Sequence, residues 1–169
     1  MSKYKNKYRV ESTRLKGWDY SSVGKYFITF VTKHRKHWFG KIENSEMKLN
    51  QYGKIFEKEI LNTEKVRKNI KLDTWQIMPN HFHGIFIIEN KSEENNERKE
   101  SETLKPNSIG SIIGQIKSIV TKKIWETGEK EFAWQGRFHD RIIRDEKALN
   151  NIRRYIKNNP KKWNEDKFK

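Results

Sequence analysis

The chain has 169 residues, the size of one ordinary domain with a core of its own. Hydrophobic residues make up 33 % of it, charged residues 35 %, and the formal net charge of +15 favours a polyanionic partner such as nucleic acid. Charge alone would equally fit any soluble basic protein. The sequence contains no cysteine, no apolar run long enough to span a membrane and no secretory signal. We therefore expect a cytoplasmic protein without disulfides, zinc–thiolate sites or a membrane partner.

Two segments stand apart by composition. Residues 1–24 are basic with interleaved aromatic side chains, a combination in which cations neutralise phosphates and rings stack on unpaired bases. The alternative is a tail with a few anchoring aromatics, and composition favours neither reading. Residues 90–106 carry almost no apolar side chain and are predicted to form a flexible loop.

Strand and helix patterns occupy the rest of a single predicted domain, 1–169. Strands are predicted at Lys25–Thr32, Phe39–Ile42, Met47–Leu49, Ile70–Met78, His81–Ile88 and, as an edge strand, at the end of Phe132–Ile143. Helices are predicted at Asn50–Val66, Ser108–Trp125 and Asp145–Asn159. The second of them carries one apolar stripe, which consists of Ile109, Ile112, Ile113, Ile116, Val120 and Ile124. The Pro79-Asn80 turn makes the fourth and fifth of these strands an antiparallel hairpin.

The strand at residues 81–88 carries the first chemical signal. Alternate side chains of a strand share a face, so His81 and His83 point the same way and Phe82 points to the other side. Both faces continue as apolar, which predicts a central strand covered on each side. Two neighbouring imidazoles can bind one divalent ion. The alternative is two histidines satisfied by hydrogen bonds at a strand end.

The last predicted helix, 145–159, supplies the second signal. Its inward stripe at helical spacing consists of Ala148, Ile152, Tyr155, Ile156 and Asn159. A tyrosine on such a stripe is usually part of the core, but an asparagine beside it is unusual. We interpret Asn159 as an oxygen ligand beside the two imidazole nitrogens, and this mixed set suits Mg²⁺ or Mn²⁺.

Three blocks of the sequence resemble the HUH-type single-tyrosine transposases of the IS200-like superfamily, in particular the REP-associated tyrosine transposases. These blocks are Met78–Gly84, with a histidine–hydrophobe–histidine signature, Gly110–Lys123 and Arg141–Pro160. The segment Arg14–Tyr20 is also similar, so the resemblance covers nearly the whole chain apart from the Glu-rich loop. Arg141 departs from the pattern, because many relatives carry a histidine there.

The resemblance implies a ferredoxin-like α/β sandwich, in which helices pack on a mainly antiparallel sheet whose central strand carries the histidines. It implies that Tyr155 is the nucleophile, that His81 and His83 bind Mg²⁺ or Mn²⁺, and that Asn159 is a third ligand. Such an enzyme cleaves single-stranded or hairpin DNA, forms a 5′-phosphotyrosine and transfers the strand during transposition, as a monomer or a homodimer.

Nine residues are the predicted DNA contacts: Arg14, Lys16, Trp18, Tyr20, Lys117, Lys122, Lys123, Arg137 and Arg141. The alternative function is a non-catalytic single-stranded DNA-binding protein, which the composition supports equally well. The histidine pair, Tyr155 and Asn159 favour the enzyme, because a pure binding protein has no need of that combination.

Overall fold

The computed structural model describes residues 14–89 and 107–169, so residues 1–13 of the basic segment 1–24 and the loop expected at 90–106 lie outside the described residues. The described part contains the following elements in chain order: β1 (Gly24–Val31), β2 (Gly40–Glu43), β3 (Glu46–Leu49), α1 (Gln51–Val66), β4 (Ile70–Ile77), β5 (His81–Ile88), α2 (Ile109–Glu126), β6 (His139–Ile143) and α3 (Glu146–Asn158). Short 3₁₀ helices lie at Lys33–Arg35 and Pro160–Glu165. Each predicted strand and helix is confirmed, with boundaries that differ by a few residues.

Four strands form one sheet in the order β4-β5-β1-β6, and each neighbouring pair is antiparallel. The helix α1 lies between β1 and β4 in the chain, and α2 lies between β5 and β6. This strand order and these two helical connections define a ferredoxin-like sandwich, which confirms the expected fold. The strand β5 is central and β6 is an edge strand, as the sequence predicts. The strands β2 and β3 form a separate hairpin.

One face of the sheet packs against α1 and α2 in an aromatic-rich core. The strands β1 and β5 contribute buried Tyr26, Ile28, Phe30, Phe82, Phe86 and Ile88. The rings of Phe30, Phe56 and Phe82 are mutual neighbours, with centroids 5.0 to 5.7 Å apart. The predicted apolar stripe of α2 is confirmed, since its isoleucines and valine are all buried. Removing this apolar surface from water is the main force that closes the sandwich on this side.

The opposite face is covered by α3, which packs Leu149, Ile152 and Ile156 against Ile85 of β5 and Ile143 of β6. This smaller apolar cluster does not include the His81 end of β5. The helix begins where the Asp145 carboxylate accepts a hydrogen bond from the Ala148 amide at 2.7 Å. Among the described helices, none combines the length and the apolar character needed to cross a bilayer.

Two glycines in different environments provide a test of the core packing. A Cβ added at Gly84 of β5 would lie 2.5 Å from the Phe82 ring and 3.2 Å from Cβ of Trp75, inside the packed face. Gly84→Ala should therefore lower the free energy of unfolding by about 1–3 kcal/mol in urea denaturation. Gly114 in α2 is exposed and has nothing within 4 Å of the added Cβ, so Gly114→Ala should raise it by about 0.5–1 kcal/mol. The same sign for both substitutions would contradict this packing.

Candidate functional site

The two histidines of β5 lie on the sheet face that α3 covers. Antiparallel pairing with β1 places His81 opposite Val31 and His83 opposite Thr29. Both imidazoles are buried, and their Nε2 atoms are 3.1 Å apart. Two ligands in adjacent positions around a Mg²⁺-sized ion, each at 2.0–2.1 Å, would be separated by about 3 Å. The prediction that the two histidines share one face is confirmed, and their spacing fits a shared cation.

The tautomer of His81 follows from its neighbour in the turn. The Asn80 amide donates hydrogen bonds to the carbonyls of Arg35 at 3.1 Å and Phe168 at 2.7 Å, which fixes the orientation of the amide. Its oxygen therefore faces Nδ1 of His81 at 2.7 Å and accepts a hydrogen bond from it. With the proton held on Nδ1, the Nε2 lone pair of His81 is directed into the site.

The partner of His83 is the buried hydroxyl of Thr29, 2.6 Å from Nδ1. A hydroxyl can donate or accept, so Thr29 stabilises either tautomer of His83. In the metal-free protein, His83 can carry its proton on Nε2 and donate it to His81. With Nδ1 protonated and donating to Thr29, the Nε2 atoms of both histidines are free to bind a cation.

Two oxygens complete the inner surface of the site. The Oδ2 atom of Asp166 lies 3.5 Å from Nε2 of His81, and its carboxylate shares a possible metal-binding cluster with His81 and His83. The side chain of Asn159 lies against His81 and Tyr155 and is 3 % exposed. Within residues 14–89 and 107–169, neither Asp166 Oδ2 nor Asn159 Oδ1 finds a hydrogen-bond donor. Buried acceptors without donors cost about 1–3 kcal/mol each, and a cation would relieve that cost. The residues present therefore fit a divalent metal.

Burial controls the protonation of both histidines. It lowers the pKa of His81 to about 4, against the opposing influence of the Asp166 carboxylate. Burial also lowers the pKa of His83 well below its ordinary value, and the neighbouring His81 adds to that shift. Both imidazoles are neutral at pH 7, which is the protonation state that a metal ligand requires.

Tyr155 lies beside this cluster at the edge of α3. Its hydroxyl is 3.3 Å from Nε2 of His83, and its ring makes edge contacts with His83 and Phe27. The predicted inward position is confirmed for Ile152, Ile156 and Asn159, which are buried. Tyr155 is 42 % exposed and lies at the border of this stripe. Partial burial raises the pKa of the phenol, Asp166 raises it further, and the interaction with Asn159 opposes both.

An open groove of 710 Å³ leads to the Tyr155 hydroxyl, between α3 and the edge strand β6. Three cations line its wall: Arg141 of β6, Lys147 of α3 and Lys167 of the C-terminal segment. The rings of Phe27 and Phe168 form its apolar surface. The carboxylates of Asp140 and Asp145 also line the groove, so three cations and two carboxylates lie beside the Tyr155 hydroxyl, and this small excess of positive charge suits a nucleic-acid strand.

Of the predicted DNA contacts in the N-terminal segment, Arg14 lies near β6. Arg14 stacks over Phe138, 4.6 Å from the ring centre, and lies 3.9 Å from the carboxylate of Asp140. Trp18 donates a hydrogen bond to the Tyr26 hydroxyl at 3.2 Å. Tyr20 accepts a hydrogen bond from the Leu15 amide at 2.9 Å, and Lys16 is exposed. Their role in binding DNA stays a prediction.

The cations of α2 have different environments. Lys117 donates to the carbonyls of Gln135 at 2.9 Å and Arg137 at 3.1 Å, and burial lowers its pKa to about 8. Lys123 forms an ion pair with the buried Glu59 of α1. These two lysines therefore connect parts of the fold, whereas Lys122, Arg137 and Arg141 are exposed.

Three residues of the site were missed by sequence reasoning. Asp166 lies beyond the proline that ends α3, in a lysine-rich segment where nothing distinguishes it from a surface acid. Thr29 belongs to the ordinary β-branched pattern of β1. Asn80 is a typical turn residue, and only its position directly before His81 indicated that it could belong to the site.

Comparison with known proteins shows the fold of this chain and the family to which it belongs. A solved REP-associated tyrosine transposase bound to a REP hairpin matches it with a TM-score of 0.62 at 20 % identity, covering 91 % of this chain and 74 % of that one. The chain has the fold of these HUH-type transposases, which confirms at the level of the fold the resemblance indicated by the sequence motifs. No protein-family model matches. An uncharacterised protein of Haemophilus influenzae is 37 % identical over 164 residues, covering 93 % of this chain and 91 % of the relative. The chain belongs to the same family as that protein.

The burial of His81 predicts a pH dependence of stability. An unfolded histidine titrates near pH 6.5, whereas the folded His81 titrates at about 4. Between these values the unfolded chain binds a proton that the folded chain does not, so stability falls as the pH drops from 6.5 to 4. His81 alone should account for a loss of about 3 kcal/mol, measured by urea denaturation at each pH without added metal.

His81→Gln should reduce the slope of this pH dependence, because glutamine does not titrate, and the buried His83 accounts for the slope that remains. His34→Gln is the matched control, since His34 is exposed and its removal should leave the slope unchanged. An unchanged slope for His81→Gln would show that His81 does not titrate in this way.

Proposed function

We propose that this protein is a metal-dependent tyrosine endonuclease and strand transferase for single-stranded or hairpin DNA, of the kind that performs transposition. The observation that carries the proposal is the half-exposed Tyr155 hydroxyl, 3.3 Å from Nε2 of a buried histidine pair. The structural similarity to a transposase that was solved with a REP hairpin supports DNA as the substrate.

The reaction is a transesterification. The Tyr155 oxygen attacks the scissile phosphorus, and the bond to the 3′-oxygen breaks, which gives a 5′-phosphotyrosine and a free 3′-hydroxyl. The energy of the broken linkage is conserved in the new ester, so a later 3′-hydroxyl can displace the tyrosine and rejoin the strand. A protein that only binds DNA would show none of these products.

His81, His83, Asp166 and Asn159 would hold the Mg²⁺ or Mn²⁺ ion. When bound, the ion supplies positive charge that stabilises the developing charge on the phosphate and favours ionisation of the phenol. The raised pKa of Tyr155 keeps the phenol protonated in the free protein at neutral pH. The packing of Trp163 and Phe168 against His81 limits access of water to the ligand cluster.

The groove beside Tyr155 would take the DNA strand. Arg141 and Lys147, which line this groove, would neutralise phosphates of the strand. Arg141, which departs from the family pattern, would therefore contact DNA directly.

Tyr155→Phe tests the nucleophile. The variant should form no covalent protein–DNA adduct, because it lacks only the attacking oxygen, and it should bind the hairpin with an affinity close to that of the unmodified protein. The assay is a denaturing gel of a labelled hairpin oligonucleotide from the flanks of the gene, incubated with Mn²⁺. Tyr52→Phe is the matched control, since Tyr52 packs on Trp38 away from the site, and it should form the adduct normally. An adduct with Tyr155→Phe would refute this assignment, and hairpin binding without any adduct would favour the non-catalytic alternative.

Asp166→Asn tests the ligand set without reference to catalysis. Loss of the carboxylate charge should weaken Mn²⁺ binding roughly 10- to 100-fold in isothermal titration calorimetry. Glu165→Gln makes the same change at the neighbouring exposed acid and should leave the affinity unchanged. Equal affinities for the two variants would exclude Asp166 from the ligands.

A further inference from the structure

The pairing of the edge strand β4 with β5 is irregular near Asp73, the residue of β4 that contacts α3. Its pairing with β5 shifts between Leu72, opposite Phe86, and Trp75, opposite Gly84. Two residues, Asp73 and Thr74, therefore face one residue of β5. Asp73 follows the core-facing Leu72, so alternation along the strand places it on the α3 side, and the extra residue of this β-bulge returns Trp75 to the core face.

The Asp73 carboxylate binds Arg153 of α3 through two hydrogen bonds. Arg153 Nε donates to Oδ2 at 2.8 Å, and Nη2 donates to Oδ1 at 2.6 Å. The Thr74 hydroxyl also donates to Oδ2 at 3.0 Å. The side chains of Asp73 and Arg153 are 16 % and 35 % exposed, so the pair is partly screened from solvent. A bidentate pair fixes orientation as well as distance, unlike a single ion pair.

We propose that Asp73 and Arg153 are positioning residues, which fix the rotation of α3 so that the Tyr155 hydroxyl faces His83. This inference rests on the proposed role of Tyr155 as nucleophile. A helix turns about 100° per residue, so Arg153 and Tyr155 lie about 200° apart, on opposite flanks of α3. One flank is thereby anchored to the edge strand β4, and the other carries the tyrosine over the groove.

The apolar contacts of α3 do not fix its rotation by themselves. Leu149, Ile152 and Ile156 form a smooth aliphatic surface against Ile85 and Ile143, and such contacts are non-directional. Tyr155 is near the border of this cluster, so a small rotation of the helix changes the hydroxyl position with little loss of apolar contact. The bidentate pair supplies the directional restraint that the cluster lacks.

Arg153→Ala tests this role in two measurements. Covalent adduct formation at saturating hairpin should slow roughly 10- to 100-fold, since a displacement near 1 Å costs that much, while the hairpin dissociation constant stays unchanged. In the metal-free protein, nuclear Overhauser contacts between the rings of Tyr155 and His83, whose centroids are 5.2 Å apart, should weaken. Asp73→Ala should reproduce both effects, and the double variant should be no slower than either single variant.

Arg154→Ala is the matched control, because it removes the same charge from the adjacent exposed position of α3. It should keep both the rate and the ring contact. Arg153→Lys retains the charge without the bidentate geometry and should give an intermediate rate. This variant also tests the role of the Asp73–Arg153 pair if the alanine variant does not fold.

Wild-type rate and intact ring contact in a folded Arg153→Ala or Arg153→Lys protein would overturn the inference. Absence of any adduct with the unmodified protein would refute the proposed function instead. In that case the contact between the rings of Tyr155 and His83 would alone decide whether the Asp73–Arg153 pair positions Tyr155.

Discussion

The pairing of β1 with β5 is the constraint on which the site depends. It sets Thr29 opposite His83, and because β1 also pairs with β6, it fixes the groove wall at Arg141 relative to the histidines. Side chains alternate along a strand, so a slip of one residue would turn both histidines into the aromatic core. The register is held by that core, where Phe30 of β1 packs on Phe82 of β5 at 5.0 Å. The large apolar face therefore fixes the polar site on the other side of the same strands.

The polar site in turn costs stability. Burial lowers the pKa of both histidines, and the Asp166 carboxylate oxygen Oδ2 and the Asn159 amide oxygen lack donors within the described residues. A site built only for stability would replace such groups with apolar side chains of similar volume. Their concentration at one end of β5, where Nε2 of His83 lies 3.3 Å from the hydroxyl of Tyr155, is the kind of local conflict expected at functional positions.

Sequence periodicity predicted what belongs to single elements. It identified the shared face of His81 and His83, the apolar stripe of α2 and the placement of Asn159 on the inner side of α3. Asn159 keeps a helical backbone although it precedes a proline, because the chain continues directly into the 3₁₀ helix Pro160–Glu165. Periodicity cannot predict contacts between segments that are far apart in the sequence, such as the contact of Asp166 with His81. The same limit applies to Lys123, whose partner Glu59 lies on another helix.

The C-terminal segment and α3 explain how one chain assembles the whole site. Trp163 and Phe168 pack on His81, and the Asn80 amide binds the Phe168 carbonyl, so the segment carrying Asp166 is held by the turn that orients His81. The helix α3, which carries Tyr155, precedes this segment directly and is tied to β4. Asn159 ends α3, so a movement of this helix would shift Asn159 together with Tyr155. Asp166 instead stays with the Asn80 turn, so the contacts of the C-terminal segment and those of α3 together decide how the two oxygens and the Tyr155 hydroxyl meet the histidines of β5.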